Sequence, residues 1–321
     1  MNPAARQLPA YELQQSRTNA EPLKFEFSAR ATDCPVCESS IALWRTKHVA
    51  GTKFQIDRCR GCGFAFVNPR PGLASLQNYY RSIGIDDGIA DAGDALRSEQ
   101  QYPNSLIDAK RIIHTVRAMC GDPVERPALL DVGAGYGFFT REAQSAGFDV
   151  TAIELGTKAA RICREMTGVE PVNTLFEEFD SGGRKFNAIV LSQVLEHVYD
   201  INVWIEKARS LLAPQGVLAV ALPNFGSLFR LMLAEREPFI TPPEHLNFFA
   251  AASLELLLAR HGLEVKTVQY VSRIPRRGLE ARLGRLPGGL YLAGGAHLTL
   301  GYALRTVDAL CLGQMITVYA S

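Results

Sequence analysis

No stretch of the 321-residue chain runs for 18 or more apolar residues without charge, which argues against a membrane-spanning helix. The nearest approach, residues 286–304, is interrupted by five glycines and a histidine. The first twenty residues lack the apolar core of an export signal and read, through residue 25, as a polar lead-in. There is no internal repeat and no long low-complexity run. Charge of one sign is also missing: 34 Lys and Arg stand against 33 Asp and Glu, a formal net charge of +1. That balance argues against binding nucleic acid through the overall field. The apolar fraction, 47%, is ample for a packed core and excludes a mostly disordered chain.

Seven cysteines remain to be explained. An odd count without an export signal points to a reducing compartment, where paired cysteines bind metal more often than they form disulfides. Cys34-Pro35-Val36-Cys37 and Cys59-Arg60-Gly61-Cys62 are two C-x-x-C pairs separated by 21 residues. Each pair can turn two thiolates onto one tetrahedral ion, and thiolate-only ligation selects a closed, structural Zn²⁺. A redox pair and an iron–sulfur cluster are the competing readings. Cys120, Cys163 and Cys311 sit in helical or apolar settings and read as core residues.

Around these cysteines, short alternating runs and Gly/Pro punctuation predict small β-ribbons over 31–70, within a module spanning 26–75. Apolar spacing predicts a helix over 105–119. Strand and helix signals then alternate. Strands are expected at Ala128–Val132, Asp149–Leu155, Pro171–Phe176, Phe186–Leu191 and Gly216–Leu222, with helices at Phe138–Ala146, Thr157–Met166 and Ile201–Leu212 between them. Such alternation makes a parallel sheet with right-handed crossovers, an α/β domain over 100–321. A helix over Ser253–His261 precedes strands at Val265–Val271 and Gln314–Ala320, which can close the sheet as an antiparallel pair. Between those strands lies an insertion, 273–312.

The strongest chemical signal is Leu129-Leu130-Asp131-Val132-Gly133-Ala134-Gly135-Tyr136-Gly137-Phe138. Glycines after a buried strand let a ligand approach the backbone, and the next helix offers free N–H groups. Glu154 ends the following strand, 21 residues after Gly133, where an acid can accept from ribose hydroxyls. A dinucleotide fingerprint needs a small residue at its sixth position; here that position is Phe138. Asp131 would repel a pyrophosphate but suits a ligand carrying an ammonium and a sulfonium, which favours S-adenosylmethionine over NAD.

With these residues in view, 105–271 resembles the class I S-adenosylmethionine-dependent methyltransferases, in the group that includes the ubiquinone-biosynthesis O-methyltransferases. DVGAGYG matches the family's first motif, FNAIVLSQVLEHV (186–198) its fourth-strand segment, and LAPQGVLAVALPN (212–224) its fifth; PEHLNFF (243–249) matches a phrase common in bacterial members. The resemblance implies a Rossmann-like, mostly parallel sheet with an antiparallel closing strand. It places Asp131, Gly133, Gly135, Tyr136 and Gly137 around the methionine part and Glu154 on the ribose. Leu175, Phe176 and Glu177 fall at the adenine edge, and Ser192 and Gln193 beside the methyl group. The family's Asp near the start of the fourth strand is Asn187 here, read as structural. His197 and His245 lie in motifs that border the cleft and are the candidates for a general base, the default role for His near neutral pH. Each also has a plain structural reading. Tyr79 and Tyr80 read as packing residues.

The stretch from Cys34 to Tyr80 resembles the zinc ribbon found ahead of many bacterial methyltransferases, some acting on sugars. The resemblance implies a small-molecule or sugar acceptor, methylated at a hydroxyl in a polysaccharide or secondary-metabolite pathway. An RNA-modifying enzyme gripping nucleic acid with the ribbon is the alternative, but 24–70 holds eight Lys and Arg against four acids and no basic-aromatic stacking pattern. DNA is not expected. Arg273, Arg276, Arg277, Arg282 and Arg285 face a single acid, Glu280, just before the glycine-rich apolar stretch. For 273–304 a membrane-surface contact, a lid, a homodimer face and an ordinary solvated helix all stay open. The expected location is the cytoplasm, with the inner membrane face open through the same segment.

Overall fold

A computed structural model describes residues 25–49, 51–83, 88–101, 105–121, 125–273 and 289–321. The lead-in before residue 25 and the basic run at 276, 277, 282 and 285 lie outside the described residues. The central sheet contains β4 (Ala128–Val132), β5 (Asp149–Ile153), β6 (Phe186–Ser192), β7 (Leu212–Pro223), β9 (Val265–Val271) and β10 (Met315–Ala320), after a ribbon described below. Its order is β5-β4-β6-β7-β10-β9. The first four strands are parallel, and β10 runs antiparallel to both β7 and β9. β4, β6 and β7 are near-continuous apolar runs because helices cover both faces.

The helices in chain order are α1 (Leu73–Ile83), α2 (Ala92–Gln101), α3 (Ser105–Met119), α4 (Phe138–Ser145), α5 (Thr157–Thr167), α6 (Ile201–Leu211), α7 (Leu228–Leu233), α8 (Ala251–Arg260) and α9 (Gly289–Ala309). On one face Ile112, Ile113 and Val116 of α3 and Ala143 of α4 meet Val190, Ala219 and Tyr319. On the other, Ile201, Ile205 and Ala208 of α6 and Leu254, Leu257 and Leu258 of α8 meet Ile189, Val220 and Val318. Asp200 starts α6 by accepting from the N–H groups of Asn202 and Val203 at 3.0 and 3.3 Å. Asn187 accepts the Ala128 N–H at 2.9 Å through its side-chain oxygen and so ties the start of β4 to β6.

Three expectations are corrected. Pro171–Phe176 forms no strand: Val172 makes one parallel bridge to Ile153, and a 3₁₀ turn follows at Phe176–Glu178. Pro171 has no N–H to give a ladder, and the Asn173 side chain donates to the carbonyls of Glu154 and Leu155 at 2.9 and 2.8 Å, bending the chain away. Cys311 is exposed rather than core, because it lies just past α9 in a left-handed turn at φ 61°. Cys120 is only partly buried, whereas Cys163 is buried. Among the described residues no helix is long and apolar enough to cross a membrane.

The N-terminal ribbon consists of β1 (Ile41–Val49), β2 (Thr52–Cys59) and β3 (Ala65–Val67), all antiparallel. Its fourth strand is β8 (Asn247–Phe248), which pairs antiparallel with β3. Val36, Phe64 and Phe66 share the core cluster of α6 and α8, so the ribbon is welded onto that face of the sheet.

Candidate active site and metal centre

β4 ends in a turn whose three glycines all have left-handed backbones, at φ 72° for Gly133, 54° for Gly135 and 89° for Gly137. A Cβ at Gly133 would stand 2.8 Å from Val194, and one at Gly137 would stand 2.8 Å from Cys163 Sγ and 3.2 Å from its Cα. Nothing lies within 4 Å of the same position at Gly135. The outer glycines are therefore demanded by close approach of α5 and the β6 loop, and the middle one faces open space. Glu154 clamps the turn: one carboxylate oxygen accepts the Gly135 N–H at 2.8 Å, the other the Gly156 N–H at 2.7 Å. Asp131 lies buried beneath, accepting from the Thr140 hydroxyl at 2.7 Å. Burial pushes its carboxyl up to about 6, and the nearby Glu154 charge adds to the rise.

Tyr136 packs with Phe138, Ile162 and Ala95 rather than standing free. Beyond β5, Leu175 is exposed, while the Phe176 ring is buried against Trp204 at a centroid distance of 4.9 Å. Glu177 accepts the Trp204 indole N–H at 2.5 Å. Of the three residues expected at the adenine edge, Leu175 and Glu177 are thus exposed, and Phe176 is turned into the core. Ser192 ends β6, and Gln193 follows at φ 57°, its N–H donating to the Ala221 carbonyl at 2.8 Å. A left-handed glutamine is strained backbone held by its neighbours, a common feature of cleft edges.

His197 and His245, 48 positions apart in sequence, meet edge to face with ring centroids 4.7 Å apart. Each Nδ1 sits on a backbone carbonyl, Glu244 at 2.8 Å and Phe239 at 2.7 Å, which fixes the Nε2 lone pair as the free one. Burial pushes His197 below its ordinary value and His245 to about 3, with repulsion from His197 adding to the latter. Both imidazoles are neutral near pH 7. Tyr79 donates to the Glu244 carboxylate at 2.9 Å, so α1 buttresses the loop that holds His197. Tyr80's side chain lies outside the described residues.

Sequence reasoning missed the struts behind this pair. Arg70 donates to the carbonyls of Val198 and Tyr199 at 3.2 and 2.6 Å and to the Asn247 side chain at 2.8 Å. Asn247 in turn donates to the Leu195 and Val198 carbonyls at 3.1 and 2.8 Å. The backbones of Leu246 and Asn247 donate to Glu196 O. The two histidine-bearing segments are thereby laced together by a residue leaving the ribbon. Glu196 was also passed over, although an acid set between Leu195 and Val198 in an apolar motif signals a buried carboxyl.

The four cysteines Cys34, Cys37, Cys59 and Cys62 converge: one sulfur from each lies within 4.8 Å of the others. Cys34 and Cys62 are 3.7 Å apart, Cys37 and Cys59 3.4 Å. A tetrahedral ion with metal–sulfur bonds of about 2.3 Å sets sulfurs about 3.8 Å apart, so the donor set fits. The N–H groups of Gly61 and Cys62 point at Cys59 Sγ, and that of Val36 at Cys34 Sγ. The hydrogen bond with Cys34 holds Cys62 down, at about 5, and pushes Cys34 up. At Gly61 a Cβ would stand 2.6 Å from Ser39 Oγ, so a side chain at the second knuckle would have to displace Ser39.

Parallel sheet, glycine turn and ribose-side acid together define the fold class of the S-adenosylmethionine-dependent methyltransferases. A family model described as a methyltransferase domain matches residues 105–268, and the chain belongs to that family. It is 29% identical over 163 residues to the mitochondrial ubiquinone biosynthesis O-methyltransferase of Mus musculus, covering 46% of this chain and 44% of that one. It is 31% identical over 202 residues to the ubiquinone biosynthesis O-methyltransferase of Actinobacillus pleuropneumoniae serotype 7 (strain AP76), covering 53% of this chain and 85% of the relative. The match thus spans under half of the mouse protein's length. Among solved structures, a SAM dependent methyltransferase from Archaeoglobus fulgidus aligns at TM-score 0.49 and 14% identity, over 70% of this chain and 97% of its own.

Proposed function

We propose that the protein transfers the methyl group of S-adenosylmethionine to a hydroxyl of a small molecule or saccharide. The observation that carries the reading is the glycine turn after β4: the Gly135 position is open, Glu154 holds its N–H, and the His197–His245 pair follows the corresponding end of the neighbouring parallel strand β6. Asp131 and the glycine turn face the donor's cationic end and Glu154 its ribose. Transfer breaks the sulfur–methyl bond with its electron pair left on sulfur, forms the oxygen–methyl bond, and sets free the hydroxyl proton. A neutral imidazole with a free Nε2 is suited to receive that proton, and His245, with His197, takes this role. The donor set of Cys34, Cys37, Cys59 and Cys62 would hold Zn²⁺ as a structural ion, with no open position for chemistry. The relatives' names support oxygen as the atom methylated. A sugar-linked acceptor in a bacterial polysaccharide or secondary-metabolite pathway, met in the reducing cytoplasm, is the finer reading.

The test has two parts. Calorimetry with S-adenosylhomocysteine should show one site per chain that Glu154→Ala weakens. Labelled donor should then pass its methyl group to a member of a panel of methyl glycosides, nucleotide sugars, catechols and total RNA. Labelling of RNA alone, or of nothing while the donor product still binds, would overturn the proposal.

A further inference from the structure

Four buried side-chain nitrogen and oxygen atoms among the described residues have no hydrogen-bond partner, and three of them are both carboxyl oxygens of Glu196 and Oε1 of Glu237. Both residues line one small cavity, together with His245, Asn224 and Asn247. Its volume of about 10 Å³ is that needed for a single water. Orphaned polar atoms are rare in folded proteins, and three on two residues that line one such space call for a shared cause. A hydrogen-bonded path joins the residues as well. The Phe239 N–H donates to Glu237 Oε2 at 2.7 Å, and the Phe239 carbonyl accepts His245 Nδ1–H at 2.7 Å. Glu196 also approaches both imidazoles, with one oxygen or nitrogen of each residue inside 4.8 Å.

We propose that Glu196 and Glu237 share one proton across this cavity and form the outlet for the proton that His245 receives from the acceptor. The idea rests on the methyl-transfer reading and adds two residues to it. Each turnover leaves one proton on the half-buried histidine pair. His245, at about 3, and His197, also lowered, hold it poorly. The carboxyls hold it well: burial pushes Glu196 up to about 8 and raises Glu237. The charged groups acting on Glu237 are Lys47 of β1 and Arg230 of α7, both favouring its ionised form, whereas no charged partner eases the burial of Glu196. The shared proton therefore favours Glu196, and the Lys47 and Arg230 charges favour leaving the negative charge on Glu237. A proton on His245 moves through one water to Glu237, no bond to carbon changes, and the pair returns to one proton when Glu237 gives its own to solvent.

Infrared titration of the protein with S-adenosylhomocysteine bound tests the shared proton without any acceptor. The carbonyl stretch of a protonated carboxyl should persist above pH 7 and vanish in Glu196→Gln. In Glu237→Gln, which keeps the shape and removes the charge, the same band should titrate at least one pH unit away from its wild-type midpoint. Donor-product affinity and the melting temperature of Glu237→Gln serve as folding controls, and this variant carries the test if Glu196→Gln fails to fold. With the acceptor that turns over, Glu237→Gln should lower kcat tenfold or more at unchanged KM, and Glu237→Asp should restore part of it. An unmoved band in Glu237→Gln overturns the proposal, as does metal analysis showing a second ion per chain that is lost with Glu196→Gln. Loss of turnover in His245→Gln with normal turnover in Glu237→Gln sinks the outlet and leaves the base standing. Normal turnover in His245→Gln sinks the base itself.

Discussion

Alanine at Gly137 and alanine at Gly135 should damage different properties. Gly137 sits at φ 89°, where an L-residue costs about 1–2 kcal/mol. Its new methyl would also meet Cys163 Sγ at 2.8 Å, Thr167 Cγ2 at 3.0 Å and the Cys163 Cα at 3.2 Å, and the last is backbone that cannot swing aside. Overpacking of that kind adds about 1–3 kcal/mol, for a total of roughly 2–5 kcal/mol. At about 2–4 °C per kcal/mol for a domain of this size, the melting temperature should fall by roughly 4–20 °C. Gly135, at φ 54°, meets nothing within 4 Å and should lose only the backbone share, about 1 kcal/mol. Its methyl would instead stand in donor space, so affinity for S-adenosylhomocysteine should drop at least tenfold. Urea denaturation and calorimetry on the two variants separate the effects. Equal stability losses, or a Gly137→Ala cost under about 1 kcal/mol, would refute the assignment of distinct roles to the three glycines.

Other outcomes follow from the same geometry. Glu154→Gln removes a charged acceptor from two backbone donors and the ribose side, and calorimetry should read a ten- to hundredfold weaker donor product, about 1.5–3 kcal/mol. Cys59→Ser should abolish a zinc content of one ion per chain, measured by elemental analysis, and make the β3–β8 junction sensitive to protease; full retention of zinc would contradict the four-sulfur site. The Asp131 carboxyl is raised from 3.8 to about 6, so its contribution to stability is complete below about pH 4 and is lost as pH rises through 6, at most about 3 kcal/mol. Binding of the cationic donor should strengthen over the same window, and Asp131→Asn should flatten both curves. His245 has the opposite sign: depressed from 6.5 to about 3, it contributes stability above pH 6.5 that is lost as pH falls toward 3. His245→Gln should therefore soften the acid limb of a denaturation profile, and an unchanged limb would count against a half-buried neutral ring.

The β4 turn, the C-x-x-C pairs and the βα alternation were legible because each depends on neighbours a few residues away. Glycines after a buried run announce a turn, and two thiols three positions apart announce a knuckle. The supposed strand at Pro171–Phe176 was not legible, since its fate hangs on where the Asn173 side chain finds carbonyls. Burial of Phe176 was hidden in the same way, set by Trp204 arriving from α6. That His197 and His245 each border the cleft was implied by motifs, but their meeting and their tautomers depend on contacts that only the folded chain brings about. Least legible was Arg70, which has no motif and reaches across 177 positions to Asn247.

The pairing of β3 with β8 has a topological consequence. The chain leaves the ribbon's sheet at Val67 and re-enters it at Asn247, so β4 to β7 are an excursion between its third and fourth strands. Cutting the gene near residue 100 would not release two self-sufficient parts. One fragment would keep three strands with an open edge, and the other a two-residue strand with nothing to lean on. In evolutionary terms the ribbon and the 243–249 loop must travel together. Exchanging one between relatives without the other would separate His245 from the scaffold that aims it.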